Sequence, residues 1–424
     1  MAKIKKIQAR EILDSRGNPT VQTTIWADSG QATIASVPAG ASTGKYEAKE
    51  LRDEDPNRFR GKGVLKAVDN VNNTIAPEIV GMDPRYQSPI DKKMIEMDGT
   101  KDKSKLGANA ILSVSQAVAE LGAIVSGRQA FEYLAEKYEL FNNSSMMPGG
   151  LFNLINGGAH GAGNNLDFQE FHVIPSTRVK FSQALETAEN VYQTLKSSLK
   201  KRKTSYAVGD EGGFAPNLYA NTDAVEFLIE ATKTAGYSLG KDVFLGIDAA
   251  ANYFHNSGKY QLQDKSQPMD TNEMIEFYEQ MQNDYQLFLL EDGLAEDDFK
   301  GWAQLQQKLG QNTLIVADDL TATNKDRLKK AIEAKACGGV IIKPNQIGTI
   351  SEAVDVVKLC KDNKLTVIVS HRSGETIDDF IADFAVGVGA DYVKFGAPSR
   401  GERVVKYNRL IAIEEMIEMS KKNQ

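Results

Sequence analysis

The chain has 424 residues, 41% apolar and 25% charged, with a formal net charge of −7 and a pI near 5.4. That composition belongs to an ordinary globular protein, and its acidity excludes the basic footprint that nucleic-acid binding requires. Two cysteines, Cys337 and Cys360, make no disulfide framework and point to a reducing compartment, the cytoplasm. The N-terminal Met-Ala-Lys-Ile-Lys-Lys has no apolar run behind it, so no signal peptide is expected. No run of about eighteen uncharged apolar residues predicts a membrane span. The length suits roughly two to three domains, since a barrel alone takes about 250 residues.

Residues 1–140 read as an α+β domain. Val21–Ile25 and Ala32–Val37 flank Asp28-Ser29-Gly30, which predicts an antiparallel hairpin. The segment Pro38-Ala39-Gly40-Ala41-Ser42-Thr43-Gly44 has no apolar anchor. It is either a surface loop or a mobile lid whose Ser42 and backbone N–H groups reach a ligand. Val64, Val68, Val71 and Ile75 make one helical stripe, and Met94 and Met97 fall in a second helix, stopped at Asp98-Gly99-Thr100. The stretch 106–126 carries Gln116 and Glu120 and predicts a buried core helix. The domain break is expected in 141–150, rich in Asn, Ser and Gly.

Beyond it the pattern changes. Leu151–Ile155 predicts a strand running into Asn156-Gly157-Gly158-Ala159-His160. Phe168–Ile174 predicts another, with Glu170 on the face opposite Phe171 and Val173. Helices are predicted over 181–199, closed by the basic run 200–203, and over 223–234. Between them, Gly209-Asp210-Glu211-Gly212-Gly213 is either a polar turn or a place where a carboxylate comes close to a ligand at little steric cost. Six apolar runs follow, at intervals that fit one strand and one helix each. Their ends carry Asp248, Glu291, Asp318 with Asp319, Lys343, Ser370 with His371, and Lys394. The longer gap after Asp248 holds the insertion 256–267. Short, wholly apolar strands suit a sheet covered on both faces. Two strands and two helices, then six strand–helix repeats, predict a closed eight-stranded α/β barrel in 141–424, with its chemistry at one mouth.

Three carboxylates from neighbouring strand ends, Asp248, Glu291 and Asp318, suit a hard cation such as Mg²⁺. Lys343 and Lys394 lie beyond them, and a lysine beside a cation and another lysine has its charged form disfavoured, so it can act as a base. Glu170 and Glu211 supply an acid side, and Arg372 and Ser373 suit a phosphate or carboxylate. Together these residues fit removal of a proton α to a carboxylate, followed by loss of a leaving group.

The chain resembles the enolases, the phosphopyruvate hydratases of glycolysis, from end to end. The most specific matches are Gly40–Gly44, Gly209–Gly213, Ala317–Leu320, Lys343-Pro344-Asn345-Gln346 and Ser370–Thr376. The resemblance implies interconversion of 2-phosphoglycerate with phosphoenolpyruvate and water. It implies Lys343 as the base at C2, Glu211 as the acid at the C3 hydroxyl with Glu170 beside it, and His160 closing over the substrate. Asp248, Glu291 and Asp318 would hold a first Mg²⁺, and Ser42 would join the phosphate at a second. Arg372 and Ser373 would bind phosphate and Lys394 the carboxylate end, with Glu291, Asp318 and His371 also lining the substrate. Family members are homodimers or octamers of dimers, and some are found on cell surfaces bound to host proteins. The sequence departs from the family pattern at Ala39, Asn252-Tyr253-Phe254, Ile377 and Phe395, and by one extra residue between His160 and Glu170. Two rival readings are a related α-proton-abstracting enzyme acting on another acid, and a non-catalytic binding protein on the same scaffold.

Overall fold

Three antiparallel strands open the chain: β1 (Ile4–Leu13), β2 (Pro19–Ala27) and β3 (Ala32–Ser36), paired in that order. The computed structural model describes residues 2–41, 44–140, 147–161 and 163–422. The expected hairpin is thus part of a meander. Its first strand escaped the sequence reading because a register irregularity between Ile4 and Lys6 breaks the two-residue alternation. Val21, Thr23 and Ile25 turn one face of β2 onto the helix Ala108–Val125, where Thr23 Oγ1 lies 2.7 Å from Ser113 Oγ. That helix is long and apolar enough to cross a membrane, but 83% of it is buried inside the fold. The stripe from Val64 to Ile75 is helical, with a π turn over Asn70–Ile75. The helix Gln87–Asp98 ends where expected, at Gly99 with φ 71°.

The second part of the chain closes into the expected eight-stranded barrel. Its strands are β4 (Gly149–Asn156), β5 (Glu170–Pro175) and β6 (Val243–Asp248), then β9 (Leu289–Glu291), β10 (Leu314–Ala317), β11 (Gly339–Ile342), β12 (Thr366–Ser370) and β13 (Tyr392–Lys394). The strands β7 (His255–Asn256) and β8 (Lys259–Tyr260) form a small hairpin in the insertion. The barrel is mixed: β5 runs antiparallel to both β4 and β6, and the other pairs are parallel. The physical reason is the short β4–β5 connection, which among the described residues holds only a 3-10 turn at Gly158–His160 and no crossover helix of the kind a parallel pair needs. Residues 141–146, where the domain break is expected, lie outside the described residues.

Period-two geometry then builds the site. Leu151, Ile174, Leu289, Val316, Ile341 and Ile368 form one cluster inside the barrel, each at most 1% exposed. Two residues further along the parallel strands, the same inward face carries Glu291, Asp318, Lys343 and Ser370. On the reversed β5, the step from Ile174 runs back through His172 to Glu170, which pairs in register with Asp248. The apolar layer closes the floor, and the ionisable layer faces the mouth.

Candidate active site

Lys394 is the cation of the acidic cluster. Its Nζ lies 2.9 Å from Asp248 Oδ2, 2.8 Å from Glu291 Oε1 and 3.3 Å from Glu170 Oε1. Burial opposes its charge, but Asp248, Glu170 and Glu291 outweigh it and hold its pKa well above the lysine range. Lys343 pairs directly with Asp318 Oδ2. Burial pushes the Lys343 ammonium down and Asp318 pushes it up, and Asp318 prevails. Arg372 and Lys394 act in the same direction as burial but are too weak against a carboxylate in contact.

On the opposite side stand Glu170, Glu211 and two histidines. His160 Nδ1 lies 3.5 Å from both Glu170 Oε1 and Glu211 Oε1, and His371 Nε2 is 3.3 Å from Glu211 Oε2. These nitrogens are close enough for charge pairing but are not aligned as hydrogen bonds. Asn153 Nδ2 donates to Glu211 Oε2 at 3.1 Å. Burial and Glu170 push the Glu211 carboxyl up, while His160 and His371 pull it down and win, leaving it at about 2. Glu211 is thus ionised here, not a loaded acid. The longer loop after His160 leaves Glu170 on the inward face, as expected. Ala162, within that loop, lies outside the described residues.

Arg372 marks the third side. Its Nη1 and Nη2 donate to Glu47 at 2.9 and 3.0 Å, and Nη1 also donates to Asn345 Oδ1 at 2.9 Å. Ser373 Oγ accepts from the backbone N–H of Ala41 at 2.6 Å. Ala39 and Gly374 exchange backbone bonds of 2.7 and 2.9 Å, so the departure at Ala39 keeps its main-chain pairing. Ser42 lies outside the described residues. His160, Glu170, Glu211, Lys343, His371, Arg372, Ser373 and Lys394 line one small cleft.

Several residues at this mouth carried no usable signal in the sequence. Glu47 is separated from Arg372 by 325 residues. Gln169 donates to Asp248 at 3.2 Å. Gln346, which unlike these belongs to the Lys343-Pro344-Asn345-Gln346 match, donates to Asp318 Oδ1 at 3.0 Å. Asp292, at φ 45°, accepts the backbone N–H groups of Asp318 and Asp319, each at 2.9 Å.

The donors Asp248, Glu291 and Asp318 are of the type that suits a divalent cation. They offer oxygen alone, and burial together with Asp248 pushes the Glu291 carboxyl well above its usual range against the pull of Lys394. Among the described residues, the carboxylate and histidine atoms drawn within 4.8 Å of one another belong to two other trios, His160–Glu170–Glu211 and Asp292–Asp318–Asp319. The second is a turn clamp, since both Asp292 oxygens are committed to backbone N–H groups. Lys394 stands between the expected ligands Asp248 and Glu291.

A closed barrel whose mouth gathers carboxylates, lysines and an arginine around one small cleft is the framework of a barrel enzyme. A family model described as the enolase N-terminal domain matches residues 4–134, and one described as the enolase C-terminal TIM barrel domain matches residues 144–423. The chain belongs to the enolase family. That family is generally metal-dependent, and the buried acids at this mouth could hold a metal ion.

Proposed function

We propose that the chain catalyses the reversible, Mg²⁺-dependent dehydration of 2-phosphoglycerate to phosphoenolpyruvate and water. The observation that carries this reading is an opposition across the mouth. Lys343 follows β11 and Glu170 opens β5, and these strands lie on opposite sides of the closed barrel. A base on one side and acids on the other suit removal of a proton and a hydroxyl from opposite faces of a small acid.

In this reading Lys343 takes the C2 proton, and the electron pair left behind forms the C2–C3 double bond as the C3 hydroxyl leaves. Glu211, with Glu170 beside it, gives that hydroxyl its proton. Because Glu211 is ionised here, it must first be loaded, and His160 and His371 are the neighbouring groups through which a proton reaches it. Arg372 and Ser373 hold the phosphate, and Lys394 the carboxylate end, with His371, Glu291 and Asp318 lining the substrate. Asp248, Glu291 and Asp318 would hold the first Mg²⁺ and Ser42 the second. Bound there, Mg²⁺ would stabilise charge building on the substrate carboxylate and relieve Lys343 of the Asp318 charge that keeps it protonated. A cytoplasmic homodimer or octamer of dimers and the 1–140/141–424 domain division belong to the same reading.

The test is the ultraviolet absorbance of phosphoenolpyruvate formed from 2-phosphoglycerate, run beside a panel of other hydroxy acids. Turnover is expected only with the phosphorylated acid, to vanish on exhaustive chelation, and to return with Mg²⁺ or Mn²⁺. Preference for another acid transfers the site to a different α-proton abstraction, and no turnover of any acid leaves a binding protein.

A further inference from the structure

His172 lies inside the barrel, directly below the layer of reacting groups, and the proposed reaction gives it no part. It sits two residues from Glu170 on the inward face of β5 and is wholly buried. In register it faces Asn153 on β4 and Gly246 on β6. A side chain at Gly246 would crowd this layer: a Cβ there would lie 3.0 Å from Ile174 Cδ1 and 3.5 Å from His172 Nδ1. His172 Nε2 is 2.9 Å from Glu170 Oε2, while its Nδ1 has no hydrogen-bond partner among the described residues.

The two oxygens of Glu170 therefore serve different sides. Oε2 is tied from beneath by His172, and Oε1 faces the mouth, 3.3 Å from Lys394 Nζ and 3.5 Å from His160 Nδ1. Burial raises the Glu170 carboxyl, but Lys394, His160 and His172 bring it well below the usual range. An ionised carboxylate only accepts, so Nε2 carries the hydrogen and donates. A buried imidazole is costly to desolvate, and the bond to Glu170 offsets that cost.

We propose that His172 is a positioning residue: it anchors Glu170 Oε2 from the barrel interior and so fixes Oε1 toward the reacting centre. This rests on the dehydration reading only in the kinetic arm of its test.

Three variants separate anchoring from packing. His172→Gln can bring an amide N–H to the place of Nε2. His172→Asn can reach only the place of Nδ1, and His172→Leu fills the space without a donor. With 2-phosphoglycerate, His172→Leu and His172→Asn should lose about tenfold in kcat with KM little changed, since a misplaced group costs the chemical step. His172→Gln should recover to within about threefold of the parent. Equal kcat in all four proteins overturns the proposal, as does a loss that tracks the melting temperature and is not restored by Gln. A second arm needs no substrate. The chain has four histidines, so the ¹⁵N resonances of His172 are assigned by substitution. They should report a proton on Nε2 and shift in Glu170→Gln. A ring protonated at Nδ1 alone, or one indifferent to Glu170→Gln, overturns the anchoring even if the parent turns over no 2-phosphoglycerate.

Discussion

Lys343 and Glu211 divide the proposed reaction between them. Lys343→Ala should abolish exchange of the substrate C2 hydrogen with solvent deuterium. Glu211→Gln should retain much of that exchange while blocking dehydration, because the proton leaves C2 before the hydroxyl needs its acid. Equal loss of exchange in both variants would contradict this division. Glu211 also makes stability depend on pH. Its carboxyl is lowered from an ordinary 4.5 to about 2, so its ionised form contributes stability that is fully present above 4.5 and is lost as the pH falls toward 2. Glu211→Gln lacks that titration, and its denaturation midpoint should fall less steeply than the parent's between pH 5 and 2.5. A parallel fall in both proteins would mean that Glu211 is not held ionised. The residue types at the mouth were legible from sequence, but the ionisation states were not, since they depend on which carboxylate touches which cation.

The turn Gly209–Gly213 was legible as a place of close approach, and the fold gives the reason. A Cβ on Gly209 would collide with the His160 carbonyl oxygen and crowd Asn156 Cβ at 2.9 Å. Gly212 adopts φ 87°, a conformation that other residues rarely take. Gly209→Ala is therefore expected to displace the turn that carries Glu211, lowering kcat at least tenfold and stability by about 1–3 kcal/mol. Unchanged activity would show that the backbone there yields easily. The apolar run locates β5 within two residues of its observed start, and alternation identifies its inward face. Its antiparallel direction is not legible, because alternation is the same for either direction. Phe168 lies before the observed strand. It packs instead in an aromatic cluster with Phe171, Phe254 and Tyr278.

The N-terminal part and the barrel meet along a polar seam of buried groups. Asp91, wholly buried, accepts from Ser351 N and Ser351 Oγ at 3.0 and 2.7 Å and from Gln87 Nε2 at 3.0 Å. Ser115 Oγ accepts from Ile350 N at 3.0 Å. Glu47 and Ala39 add the links to Arg372 and Gly374, so the seam continues into the site. Asp91→Ala leaves these buried donors without an acceptor and should cost about 2–3 kcal/mol, measured by denaturant unfolding. A cost near zero would mean that the Asp91 bonds contribute nothing to holding the two parts together.

Local order in the chain was enough for the barrel and for its layer of acids and lysines. Each strand is a short apolar run ending on an ionisable residue, and side chains two apart share a face, so the placement of Glu291, Asp318 and Lys343 follows from spacing. The pairings had to wait for closure of the fold. Lys394 reaches Asp248 across 146 residues, and Glu47 reaches Arg372 across 325. Nothing within a few residues of any of these side chains names its partner. The charge each group carries depends on that partner and on its burial, and both come from the packing of distant segments.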